Sequence, residues 1–211
     1  MLISILGDSV STFEGYTPSK AVFFDRYNSF ETGINTVEDT WWMQVIRALG
    51  GDLGVNHSLA GSTVAGGISS SGASMDRIRA LGAEGVPDMI LIFMGANDWA
   101  YGILPDEFRK AYGLMLDRVK ESYPDSEIWC GTIASGKLVD PAERFFFNMD
   151  GLISPRIYSD IIDSLAGDRH LHTADMARNQ VEYETIDGVH PNKEGMKTLA
   201  DLWLKSIQGE E

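Results

Sequence analysis

One cysteine, Cys130, stands in a chain of 211 residues. No intrachain disulfide is therefore possible, and the fold must rest on buried apolar surface. A chain of this length buries about 70% of the surface its unfolded form exposes, which suffices without cross-links. Cys130 lies inside an apolar run, Glu127-Ile-Trp-Cys-Gly-Thr-Ile133, and reads as a small core hydrophobe. Positive charge is also scarce. Seventeen Lys and Arg face 31 Asp and Glu, a formal net charge of −14. Such a chain repels phosphate backbones, so no nucleic-acid partner is expected. No charged leader precedes a long apolar stretch, and no run reaches membrane-spanning length. The expectation is a cytoplasmic protein without membrane insertion. Low-complexity segments and fixed-period repeats are absent as well.

What is present is a short apolar run at regular intervals. Residues 2–6, 53–56, 89–94, 127–133 and 171–176 read as strands. The run Met89-Ile-Leu-Ile-Phe-Met94 is continuously apolar, as a strand buried on both faces of a parallel sheet must be. Helical periodicity marks residues 40–49, a segment opened by Pro105, residues 151–165 and residues 192–207. Alternating strands and helices predict a doubly wound α/β domain with ligands at the carboxyl ends of the strands. Two stretches break the alternation. Residues 14–38 hold Phe23, Phe24, Tyr27 and Phe30, and residues 135–150 hold Phe145-Phe146-Phe147. Both follow proposed strands, which puts them on the ligand-binding edge.

Four strand-following motifs carry groups of complementary chemistry. Gly7-Asp8-Ser9 follows the first strand and exposes a hydroxyl in a tight turn. Gly61, after the second, offers an unobstructed backbone N–H. Gly95-Ala96-Asn97-Asp98, after the third, supplies an amide. Asp187-Gly188-Val189-His190 precedes the last helix and pairs a carboxylate with an imidazole three positions on. Each alone is an ordinary turn. Together they supply a nucleophile, a base with its orienting acid, and donors for a developing oxyanion.

These blocks resemble, in order and in nearly full extent, the SGNH hydrolases, also called the GDSL family of esterases and lipases. The resemblance implies a three-layer α/β/α sandwich on a flavodoxin-like five-stranded parallel sheet, forming one domain over residues 1–211 with an aromatic insertion at about 14–38. It implies ester hydrolysis of a small-molecule substrate without metal or cofactor. Ser9 would be the nucleophile, His190 the base and Asp187 its orienter. The N–H groups of Ser9 and Gly61 and the Asn97 side chain would form the oxyanion hole. The expected substrate is a short-chain ester, with acetyl on a carbohydrate the most specific reading. A thioesterase or lysophospholipase of the same family, or a non-catalytic small-ligand-binding module, are the alternatives. A nucleotide-binding domain lacks its phosphate loop, since the glycine pairs at 50–51 and 66–67 have the wrong spacing.

Other polar residues receive structural readings. His170 and His172 would share a strand face without a third metal ligand nearby. His57 reads as a loop histidine. Asp8 and Asp98 read as carboxylates that fix turns. Of Trp41 and Trp42, one is expected in the core and one at the edge of the site. Oligomeric state leaves no trace in the sequence.

Overall fold

The structure, a computed structural model, describes residues 1–18, 21–67, 69–138, 153–178 and 181–209. Its first half runs β1 (Leu2–Gly7), a 3-10 turn (Ser9–Ser11), α1 (Ser29–Thr32), a second 3-10 turn (Val37–Asp39), α2 (Trp41–Ala48), β2 (Asp52–Asn56), α3 (Met75–Ala80) and β3 (Met89–Phe93). There follow α4 (Ala96–Ala100), α5 (Pro105–Ser122), β4 (Glu127–Gly131), β5 (Ser135–Leu138), α6 (Pro155–Gly167), β6 (His172–Ala174), β7 (Glu182–Thr185) and α7 (Lys193–Gln208).

Five strands form one parallel sheet in the order β2-β1-β3-β4-β6. That is the flavodoxin-like order, and its topological switch lies between β1 and β3, where connections leave in opposite directions. Strand alternation explains why both faces are apolar. Ile3, Ile5, Met89, Leu91 and Trp129 pack with α2 and α7, while Leu6, Ile90, Ile92, Ile128 and Cys130 pack with α5 and α6. Helices thus cover both faces, and Cys130 is fully buried as a core residue. Its thiol is pushed up to about 12, chiefly by burial.

Several boundaries moved. The helix expected over 151–165 begins at Pro155, with the Ser154 side chain accepting the Arg156 N–H. Proline opens this helix instead of interrupting it, because the first turn needs no N–H from it. The strand expected over 171–176 shrinks to three residues, and that over 127–133 ends at Gly131. Trp41 and Trp42 are both fully buried, so neither edges the site. Trp41 stacks on Trp203 with centroids 5.1 Å apart, and its indole N–H donates to Ser11 Oγ at 3.2 Å.

Two short strands escape the periodicity altogether. β5 and β7 pair in parallel as a separate sheet, from Ser135 opposite Glu182 to Leu138 opposite Thr185. Four polar-rich residues each, with partners some 47 positions distant, give no local strand signal. Residues 135–138 were expected to be loop. The remainder of that stretch through residue 150, with its three phenylalanines, lies outside the described residues. Among the described residues, no helix is long and apolar enough to cross a membrane.

Candidate active site

The turn that carries Ser9 is built from the end of β1. Gly7 has no room for a side chain, since a Cβ there would lie 2.7 Å from both Ser11 and Ser58 Oγ. Asp8 then caps the 3-10 turn, accepting the Val10 N–H at 3.1 Å. Ser9 Oγ emerges beside His190 Nε2, 2.9 Å away. The Ser9 carbonyl accepts from the Thr12 hydroxyl, which in turn accepts the Phe23 N–H.

His190 is presented by a tight loop between β7 and α7. The Asp187 Oδ1 accepts the N–H groups of Val189 and His190, at 3.0 and 2.6 Å. Its Oδ2 lies 2.5 Å from His190 Nδ1. That contact makes Nδ1 the donor and leaves Nε2 to accept the Ser9 hydroxyl proton, a tautomer inferred from the network. Gly188 takes φ +89°, and the Thr185 hydroxyl accepts its N–H at 2.8 Å. Burial pushes the Asp187 carboxyl up. The His190 hydrogen bond and charge and the two loop N–H groups outweigh it, holding the group below the ordinary carboxylate value.

Phe23 covers the other face of the imidazole. The rings stack with centroids 3.5 Å apart and planes 7° from parallel. The 14–38 stretch therefore divides. Phe24 is fully buried, Phe23 lies on the histidine, and Tyr27 and Phe30 face solvent.

Opposite the imidazole stand Gly61 and Asn97. Gly61 has φ +73°, and the preceding Ala60 N–H donates to Ala21 O at 2.8 Å. Asn97 sits in the first turn of α4 and donates one amide hydrogen to Ser62 O at 3.0 Å. The N–H groups of Ser9 and Gly61 meet no acceptor among the described residues. Ser9, Phe23, Gly61, Asn97, Tyr101 and His190 line one cavity of about 210 Å³. The structure thus brings together all five residues singled out from the sequence, at the switch point of the sheet.

The turn-fixing carboxylates do fix turns. Asp98 is fully buried and accepts the N–H groups of Val64 and Ala65 at 2.8 and 2.9 Å. Burial pushes Asp98 up to about 6 against the pull of those N–H groups. Asp8 also rises to about 6 through burial, opposed by the Val10 N–H and the charges of His190 and Arg77. His170 is not on the strand with His172. It occupies a turn at φ +55°, while His172 stacks on Trp129. Among the described residues, no cluster of three or more His, Cys, Asp or Glu could hold a metal.

Sequence reasoning put the 14–38 aromatics on the ligand-binding edge, but it missed two contacts of the site. The stacking of Phe23 was hidden because its partner lies 167 positions on. The second is Arg77 on α3, whose buried guanidinium donates to Gly7 O, His57 O, Ser70 O and Ser62 Oγ. An arginine on a six-residue helix that lacks a clear apolar stripe carries no signal of burial.

Residues 1–144 match the family model for GDSL-like lipase/acylhydrolase. Among curated proteins, none matches this sequence. Solved structures do. One, assigned as a GDSL-like lipase from Bacteroides ovatus, is 25% identical, with TM-score 0.72 over 99% of this chain and 98% of the other. A second such assignment, from Bacteroides uniformis, is 26% identical, with TM-score 0.68 over 99% and 95%. Est24, a carbohydrate acetylesterase from Sinorhizobium meliloti, is 17% identical and shares the fold, with TM-score 0.70 over 99% and 98%. With two thirds of its length matched to the family model, this chain belongs to the GDSL-like lipase/acylhydrolase family and is a carboxylic-ester hydrolase.

Proposed function

We propose that the protein hydrolyses short-chain esters, acetyl esters of carbohydrates foremost, through an acyl-enzyme on Ser9. The observation that carries this reading is the continuous chain from Asp187 through His190 to Ser9, with contacts of 2.5 and 2.9 Å. Ser9 Oγ attacks the ester carbonyl carbon while its proton passes to His190 Nε2. Asp187 holds the imidazole in the required tautomer and balances the imidazolium. The tetrahedral oxyanion is received by the Ser9 N–H, the Gly61 N–H and the Asn97 amide. The C–O bond to the leaving alcohol breaks as His190 returns the proton to that oxygen. Water, deprotonated by His190, then attacks the acyl-enzyme and releases the carboxylic acid, regenerating Ser9.

Size supports a short acyl group. The cavity of about 210 Å³ is smaller than the ~300 Å³ at which pockets for drug-sized ligands begin. A second cavity of about 500 Å³ adjoins it at Ala96, Trp99 and Val189, and Ser135, Ser159, Arg156 and Glu182 line it with polar groups. Such a lining suits a hydroxyl-rich alcohol, in keeping with the acetylesterase among the structural neighbours.

The test is hydrolysis of p-nitrophenyl acetate, butyrate and octanoate by the wild type and by Ser9→Ala, each checked for folding. Wild-type turnover that falls with chain length and vanishes in the variant is expected. Residual wild-type-like activity in Ser9→Ala would remove Ser9 as the nucleophile. Asn97→Ala should lower kcat by ~10²–10³ if its amide serves the oxyanion. An inactive wild type that a fluorophosphonate fails to label at Ser9 would leave a ligand-binding module.

A further inference from the structure

Arg77 is 1% exposed, yet the proposed chemistry gives it no task. Its hydrogen bonds all go to neutral acceptors. Nη2 donates to Gly7 O at 2.8 Å and to His57 O at 2.7 Å. Nη1 donates to Ser70 O at 2.8 Å and to Ser62 Oγ at 3.2 Å. Nε faces His57 Nδ1 at 3.4 Å. Burial pulls the guanidinium down to about 10, with the Asp8 charge opposing. Burial, and then the Arg77 charge, hold His57 below its ordinary value, so its ring stays neutral and can accept. A buried cation whose hydrogen bonds all go to neutral groups, with the Asp8 charge acting on it only through space, is a poor device for stability, because no ion pair meets its desolvation cost directly. What the planar fork supplies is geometry, since its donors sit in fixed directions.

The segments it joins are those that carry the oxyanion donors. Gly7 O lies two residues before Ser9. His57 O and Ser62 Oγ bracket Gly61 on either side. Ser62 also offers its carbonyl to the Asn97 amide at 3.0 Å. Each of the three donors therefore stands within a few bonds of one guanidinium. These segments follow β1, β2 and β3. The Leu59 N–H to Gly7 O, the Asn56 amide to Ser11 O and the Val64 and Ala65 N–H groups to Asp98 also link them, and Arg77 adds a rigid side chain that reaches the first two segments at once.

We infer that Arg77 is a positioning residue for the oxyanion hole: its guanidinium fixes the relative placement of the Ser9 N–H, the Gly61 N–H and the Asn97 amide. Arg77 does not line the cavity that holds Ser9 and His190. The inference rests on the catalytic reading above and extends it.

A lysine keeps the charge but cannot span four acceptors in fixed directions. Misplacement of a catalytic group by about 1 Å can cost ~10²-fold in rate, so Arg77→Lys should lower kcat by about 10- to 100-fold with KM little changed. The discriminating measurement is a double-mutant cycle with Asn97→Ala on p-nitrophenyl acetate. If Arg77 acts through the hole, Arg77→Lys costs less in the Asn97→Ala background than in the wild type, because one of the three donors it would misplace is already gone. Ser62→Ala, which cuts one link and keeps the Ser62 carbonyl, gives a milder kcat loss with the same coupling, and it decides the matter should Arg77→Lys not fold. Losses that multiply in full, a loss confined to KM, or unchanged kcat in folded variants would overturn the positioning role. Fluorophosphonate labelling of wild-type Ser9 separates the two failures. Labelling without coupling sinks Arg77 alone, whereas no labelling sinks the catalytic reading and this inference with it.

Discussion

Asp8 sits next to Ser9, the proposed nucleophile, but faces a different constraint from it. The Ser9 hydroxyl reaches His190 Nε2, whereas the Asp8 carboxylate is buried and caps the turn that presents that hydroxyl. Burial raises its carboxyl from 3.8 to about 6, so the folded protein holds this proton more tightly than the unfolded chain does. Stability from this group is therefore complete below pH 3.8 and declines as pH rises through about 6. Asparagine copies the neutral form and does not titrate. Thermal unfolding of Asp8→Asn and wild type should thus diverge in the variant's favour between those two pH values, and parallel curves would show that Asp8 ionises freely. At this scale the sequence exposed the acids, the base and the hydroxyl through their motifs. It could not expose Phe23 on His190 or Arg77 under Gly61, because a stack and a buried guanidinium depend on partners brought together by the fold.

The loop between β7 and α7 shows how elements hold His190 in place. Asn192 caps α7 by accepting the Gly195 N–H at 2.8 Å, and its own N–H donates to Glu184 O at 3.1 Å. Gly195 lets the helix lie directly on β7, for a Cβ there would sit 2.0 Å from Glu184 O. Gly195→Ala must push α7 off the strand and carry His190 with it. We expect a loss of about 1–3 kcal/mol in urea unfolding, as for other overpacked sites, and a fall in kcat beyond that of Asn192→Ala. The latter loses a cap and should cost about 1 kcal/mol. Equal activity in the two variants would show that the loop holds itself. Helix α7 was legible from its apolar spacing and from the Asn192 start. The strand beneath it was not, since Glu182-Tyr-Glu-Thr185 has only Tyr183 and Thr185 buried and needs β5 as a partner.

Across the whole molecule the sheet divides the core into two packed layers. On one face Trp203 is fully buried, stacked on Trp41 and edge-on to Phe93 at 5.9 Å. Trp203→Ala should cost ~3–5 kcal/mol, as large-to-small changes of a buried aromatic do. The midpoint of urea unfolding would fall with little change in slope, because the surface exposed on unfolding is nearly the same. A cost under 1 kcal/mol would mean that the layer closes over the gap. The site itself is a product of this scale. It forms where β1 and β3 part company, so a residue after each strand reaches the same cavity.

The sequence by itself determined the class of fold and named the residues that meet at the candidate site. Alternating apolar runs impose a sheet covered on both faces, and short motifs record the groups that chemistry needs at each strand end. Only the tertiary structure decided which aromatic covers His190, which cation ties Gly7 to the Gly61 loop, that both Trp41 and Trp42 enter the core, and that two polar strands pair. The physical reason is the same in each case. Periodicity and turn chemistry act between near neighbours in the chain, while stacking, buried charge and strand pairing act between residues that folding alone makes neighbours.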